Sequence, residues 1–281
     1  MPPVRMSEER KFFEGLKKLF RSIIEDAKKG IRFNPNARNY LDSPEVDSYL
    51  RRLVTRMTKN IRVASANSWR EAASKGSNGP LIYNLIKSEM NGPVGARVWD
   101  LIANNVAYIK TLPYFWADYA TNYAAREALK GRRPEEVEAE LRKVIPEHIA
   151  KNLKCIARTE CAKANAAIVQ ARAEMCGIQC YIWRCVKDNR SRDSHRDMDG
   201  IVVFYNDPPS PEALFPYPVN KNGDLVKPYG RYHAGNTFNC RCYQETIVDM
   251  KFLPDTFKYY KDGAVHSTTR AAFMRMFGNV A

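Results

Sequence analysis

Residues 177–205 read GIQCYIWRCVKDNRSRDSHRDMDGIVVFY, and within them the hydrophobic pattern changes period. Upstream of Gly177, apolar residues recur at helical spacing. Downstream, Ile178, Tyr181, Ile182, Trp183 and Cys185 form a short apolar run and Ile201 to Tyr205 another, both of strand length. Between the runs lie a polar segment and the pair Asp199-Gly200. That pair suits a tight turn, because Gly200 takes positive φ at no steric cost while the Asp199 carboxylate can bond nearby backbone N–H groups. The turn is expected to join the two strands as a hairpin-like unit. Asp188 precedes Arg190 and Arg192 and is placed to accept hydrogen bonds from them or from the backbone of its own loop.

Before this stretch the chain reads as helices. Ser7 is a candidate N-cap, followed by Phe12, Phe13, Leu16, Leu19, Phe20, Ile23 and Ile24 at helical spacing, with Gly30 as the stop. A second helix opens at Ser43, places Pro44 in its first position and carries Val46, Tyr49, Leu50, Leu53, Val54 and Met57 as its apolar stripe toward Gly76. Further helices are expected over 81–90, 94–109 and 114–129, separated by Asn91-Gly92-Pro93, by Leu112-Pro113 and by Gly131. Such short breaks suit an antiparallel bundle. Pro134 starts another helix, and after Pro146 a long Ala-rich one runs to Gly177 with Lys151, Lys154 and Arg158 along one side.

After Tyr205, the Pro-, Gly- and Asn-rich segment 207–235 reads as an extended surface loop, and 241–248 alternates as a third strand. The expected class is therefore α+β. A helical bundle spans 1–133, and a small α+β domain with a long helix and a short antiparallel sheet spans 134–249. Residues 250–281 form a tail too aromatic for a free linker, expected to dock on a neighbour.

The formal charge of +14 and pI near 9.5 favour polyanionic partners, since Lys and Arg that neutralise phosphates release condensed counterions. Lys151, Lys154, Arg158, Arg190 and Arg192 are the candidate DNA-binding residues. The N-terminus lacks an apolar run of signal-peptide length, and no window approaches the ~20 apolar residues of a membrane span, so a cytosolic chain with no membrane partner is expected. The seven cysteines are an odd, scattered set that argues against a disulfide framework.

Cys240 and Cys242 lie two apart at the start of the third expected strand, so both side chains face one side of the sheet and can share a ligand. His195 and His233 are candidates to complete a Cys2His2 zinc site, with Cys180 or Asp199 as substitutes; buried thiols beside a hydrogen-bonded His explain the same residues. A zinc ion here would be structural, pinning the long loop to the core. The chain carries no P-loop, H-E-x-x-H, G-x-S-x-G or Gly-rich dinucleotide loop, and it is read as a non-enzyme. The alternative is a metal-dependent nuclease or toxin-like enzyme built on His195, Cys240 and Cys242, with a Cys240–His195 nucleophile pair as its thiol variant.

Taken in order, Arg158-Thr159-Glu160, Gly177, Trp183, the segment from Asp188 to His195, Asp199-Gly200 and Asn239-Cys240-Arg241-Cys242 resemble the C-terminal signature of the Mu F-like minor head proteins of tailed bacteriophages. The insert from Pro211 to Tyr232 departs from the shorter path common in that family. The resemblance implies a virion component bound at the portal or inner capsid. It would act in head assembly and in genome packaging or delivery. Implied partners are portal protein, capsid or scaffolding protein and double-stranded DNA held without sequence preference. The implied location is the capsid interior, and the host cytoplasm during assembly. Asp188, Asp199, Gly200 and Asn239 are then structural positions. A third class, an adaptor whose helices oligomerise and whose basic surface binds RNA, also accommodates the charge.

Overall fold

The computed structural model describes residues 6–28, 42–76, 79–219, 223 and 225–278; Gly30 lies outside them. The helical part comprises α1 (Met6–Leu19), α2 (Arg21–Lys28), α3 (Pro44–Ser74), α4 (Gly79–Ser88), α5 (Pro93–Leu129) and α6 (Pro134–Met175). The chain divides into two compact units, one of residues 6–58 with 100–157, the other of 59–99 with 158–281.

The first unit is wholly helical among its described residues. Its core draws Phe12, Leu16 and Phe20 from the start of the chain, Leu50, Leu53 and Val54 from α3, Ile109, Leu112 and Trp116 from α5, and Ile149 and Leu153 from α6. Phe20 meets Trp116 edge to face, with ring centroids 4.8 Å apart. A Cβ added at Gly15 would stand 2.3 Å from Leu53 Cδ1, so the missing side chain is what lets α1 and α3 come together there. The Tyr49 hydroxyl donates to the Gly15 carbonyl across the same contact at 3.2 Å.

Two expected helix breaks are absent. α5 runs through Pro113 and α6 through Pro146. A proline inside a helix removes one backbone bond and costs about 3 kcal/mol. Here Leu112 and Trp116 flank the first and Ile145 and Ile149 the second, all buried, so packing on both sides of each proline holds the helix together.

The second unit contains the sheet: β1 (Cys180–Arg184), β2 (Val202–Phe204), β3 (Tyr243–Thr246), β4 (Thr256–Lys261) and β5 (Ala264–Thr269), with short helices α7 (Asp193–Asp197), α8 (Pro211–Leu214) and α9 (Arg270–Phe277). The spatial order is β3-β1-β2-β4-β5. β1 pairs antiparallel with β2 and β3, β2 pairs parallel with β4, and β4 pairs antiparallel with β5. The short antiparallel sheet expected from the sequence is thus a mixed, five-stranded one, and the aromatic tail supplies two of its strands.

Both faces of the sheet are covered, which is why β1 reads as a continuous apolar run and not as an alternating one. On one face Tyr181, Trp183, Ile201, Val203 and Tyr205 share a core with Trp69, Ile82, Ile86, Val169 and Ala173 of the flanking helices. On the other, Cys180, Ile182, Val202 and Phe204 pack with Tyr259 and Phe273, closed by Phe277. Beside the first core, Arg172 is wholly buried and donates to Glu89 through Nε at 2.8 Å and Nη2 at 3.2 Å, and to the Ser65 hydroxyl at 2.7 Å. Arg62 adds a second guanidinium to Glu89 at 2.6 Å.

Candidate metal centre

The site is assembled by short segments at one end of β1 and β3. β1 ends just before Cys185. The chain then turns through a polar loop into α7, which carries His195, and returns by Asp199-Gly200 into β2. The Asp199 carboxylate accepts from the Cys185 backbone N–H at 2.8 Å and pairs with Lys187 at 2.6 Å, while Gly200, at φ +86°, donates its N–H to the Trp183 carbonyl at 2.9 Å. The expected turn between β1 and β2 is present, with α7 inserted into it. Asp188 accepts from the backbone of Arg190 at 3.0 Å and from the Ser191 hydroxyl at 3.3 Å. Its ion-pair partner is Arg241, not Arg190 or Arg192.

Asn239 explains why the Arg-Thr pair on α6 belongs with the distant Asn-Cys-Arg-Cys. It takes a left-handed conformation, φ 55°, that few side chains other than Asn tolerate. Its N–H donates to Thr159 Oγ1 at 2.9 Å and its side-chain oxygen accepts from Arg158 at 2.7 Å. α6 therefore fixes the point from which Cys240 and Cys242 turn inward.

His195 Nδ1 faces both sulfurs, 3.6 Å from Cys240 Sγ and 3.4 Å from Cys242 Sγ. The three ligand atoms lie within 4.8 Å of one another and all three residues are buried. The other ring nitrogen, Nε2, lies 2.8 Å from the Tyr232 hydroxyl, which donates at 2.6 Å to Glu212. Cys185 is also buried here, one residue past the Arg184–Tyr243 pair and so across the register from Cys242.

The electrostatics follow from this crowding. Hydrogen bonding from Cys242, with the nearby His195, holds Cys240 well below the ordinary thiol range despite burial. Cys185 falls to about 6, mainly through its bond with Cys242. Cys242 moves the other way, because two thiols already richer in negative charge flank it. Burial disfavours charge on His195, but Cys240 and Glu212 outweigh it and raise the imidazole to about 9. The arrangement gathers negative charge on sulfur around one imidazole face.

Residues 122–245 match the family described as Phage Mu protein F like protein, a family of phage head morphogenesis proteins. This segment is similar to the Mu F-like family. An uncharacterised protein of Haemophilus influenzae is 30% identical over 160 residues, which cover 57% of this chain and 31% of that protein. The chain thus spans about a third of the length of the curated relative it matches. No solved structure matches.

The matched residues take in β1, β2, all but the last residue of β3 and the whole sulfur–imidazole cluster, while β4 and β5 complete the sheet from outside them. Of the sequence-derived metal candidates, His195, Cys240 and Cys242 come together. His233 does not join them: its Nδ1 lies 3.2 Å from the Tyr181 hydroxyl, with its ring between those of Tyr181 and Tyr205. Cys180 faces the opposite core, and the Asp199 carboxylate is occupied by Lys187 and the Cys185 N–H. Sequence reading missed Cys185, Tyr232 and Glu212 as members of the site. Cys185 closes an apolar strand and looked like core; Glu212 and Tyr232 lie in the insert that departs from the family pattern.

The basic residues divide. Arg158 is bonded to Asn239, and Arg192 donates to the Phe238 carbonyl at 2.9 Å while its guanidinium stacks 4.6 Å from the Tyr229 ring. Both hold the loop at residues 238–239 in place. Lys151, Lys154 and Arg190 are exposed, the two lysines in the helical unit and Arg190 in the sheet unit.

Proposed function

We propose that this chain is a minor head protein of a tailed bacteriophage, bound at the portal vertex or the inner capsid wall and acting in head assembly and genome packaging or delivery. The observation that carries this reading is the Mu F-like match over the segment that contains the buried cluster and the loops that hold it. Its work is binding. The cluster is buried, with His195 2% and Cys240 3% exposed, which leaves no room for a substrate at these atoms and favours a structural role over a nuclease or thiol enzyme. The net charge of +14 suits a protein lying beside packed duplex, where phosphate contact needs no base readout. No helix among the described residues is long and apolar enough to cross a membrane.

Mass spectrometry of purified phage particles is the direct test. The chain is expected in mature heads at low abundance relative to the major capsid protein, and in complexes captured with tagged portal protein. Its absence from particles in which other minor proteins are detected overturns the reading.

A further inference from the structure

We propose that Cys185, Cys240, Cys242 and His195 form a closed, four-ligand site for a thiophilic divalent cation, zinc by its chemistry, which ties the ends of β1 and β3 to α7. The inference goes beyond the head-protein reading and does not depend on it.

The first argument is geometric. Cys240 and Cys242 sit on one side of their segment, and His195 Nδ1 lies 3.6 and 3.4 Å from their sulfurs, so all three ligand atoms already surround one point. Cys185 is the next nearest sulfur: it follows Arg184, which pairs with Tyr243, so the antiparallel register carries it across from Cys242. Three thiolates and one imidazole are a donor set that zinc takes in closed tetrahedral structural sites. The other nearby donors are committed elsewhere: His233 to Tyr181, Asp199 to Lys187 and the Cys185 N–H, and Glu212 to the far side of the His195 ring.

The second argument concerns what lies behind the ligands. A metal-ligating His commonly donates its other ring N–H to an acceptor that fixes its tautomer. His195 Nε2 meets the Tyr232 hydroxyl at 2.8 Å, and Tyr232 passes its own proton toward Glu212 at 2.6 Å, a relay that leaves the Nδ1 lone pair aimed at the sulfurs. A ligand sulfur is served similarly: the Cys242 N–H points to Cys240 Sγ at 3.4 Å. A cation gives the sulfur charge a partner where water is excluded.

The test uses the full chain, stripped of metal under reducing conditions and titrated with Co2+, then with Zn2+. Saturation at one equivalent is expected, with strong visible bands of tetrahedral cobalt and thiolate-to-metal charge transfer, both erased by zinc. Cys185→Ser should cut the charge-transfer intensity by about a third, as one of three thiolates is lost. Tyr232→Phe and Glu212→Gln should weaken metal affinity about 10- to 100-fold while leaving the cobalt spectrum tetrahedral. His233→Gln should change neither. No stoichiometric binding by the unaltered protein overturns the site, whatever the variants do. A spectrum unchanged in Cys185→Ser overturns the four-ligand assignment, as does one lost in His233→Gln.

Discussion

His233 stands near the sulfur cluster without belonging to it, and its surroundings give it a measurable consequence. Burial between Tyr181 and Tyr205 lowers its imidazole to about 4, against 6.5 when exposed, because the charged form has no water there, a loss only partly offset by a hydrogen bond with the Tyr205 backbone. The folded state then binds fewer protons than the unfolded chain once the pH drops below 6.5. Stability is complete above that value and is lost progressively as the pH falls toward about 4. The loss is up to about 3 kcal/mol. His233→Gln keeps an acceptor for Tyr181 and removes the titration, so its urea midpoint should fall less steeply between pH 6.5 and 4 than that of the parent chain; identical pH profiles would contradict this account. Thr159 offers a second residue-level test. Its hydroxyl accepts the Asn239 N–H, and Thr159→Val leaves that donor without a partner, a change expected to cost about 1–3 kcal/mol in denaturant unfolding. The residue types of the site were legible because C-x-C, His195 and Asn239 are unusual in their context. Their partners were not, since a Tyr or Glu in an irregular loop carries no periodic signal and only the folded chain brings Tyr232 and Glu212 to the imidazole.

At the scale of elements, α3, α6 and the turn at Glu89 are tied by a charge cluster that hydrophobic patterning does not reveal. Arg172, wholly buried, bonds Glu89 twice, and Glu89 is itself only 1% exposed. Removing one member of such a pair strands the other charge in the core, so Glu89→Gln or Arg172→Met should destabilise the fold by about 3–5 kcal/mol. A double variant, Glu89→Leu with Arg172→Met, should recover a large part of that loss, and equal, additive costs in chemical unfolding would show that the pair is not coupled. The strands of the tail teach a different lesson. Asp262-Gly263 joins β4 to β5 as a two-residue turn with φ of 50° and 88°, the conformation for which Asp-Gly is the strongest short hairpin signal. The sequence reading of 250–281 rested on its aromatic residues, which suggested a docking tail, and did not use this pair. Pro113 and Pro146 misled in the opposite sense, since the local rule for proline carries no information about the apolar packing that spans each one.

For the whole molecule, the decisive quantity is how much of the +14 charge is available to a polyanion. Arg158 and Arg192 are spent on the loop that presents Asn239 and Phe238, whereas Lys151, Lys154 and Arg190 are exposed. If the chain lies against packaged duplex, unrelated DNA sequences should bind it equally well, and affinity should fall steeply with salt, each phosphate contact adding about 0.9 to the slope of log K against log salt. Replacing Lys151, Lys154 and Arg190 together by Gln should flatten that slope while changing the unfolding free energy by only about 0.5 kcal/mol per substitution, because exposed side chains contribute little to stability. Arg158→Gln and Arg192→Gln should do the reverse, lowering stability through the loop with a smaller effect on the slope. Filter binding or anisotropy over a salt series, run beside denaturation on the same preparations, separates the two sets. Binding that does not vary with salt, or a slope reduced only by the loop arginines, would remove the duplex from the list of partners and leave protein contacts to carry the proposed role in the head.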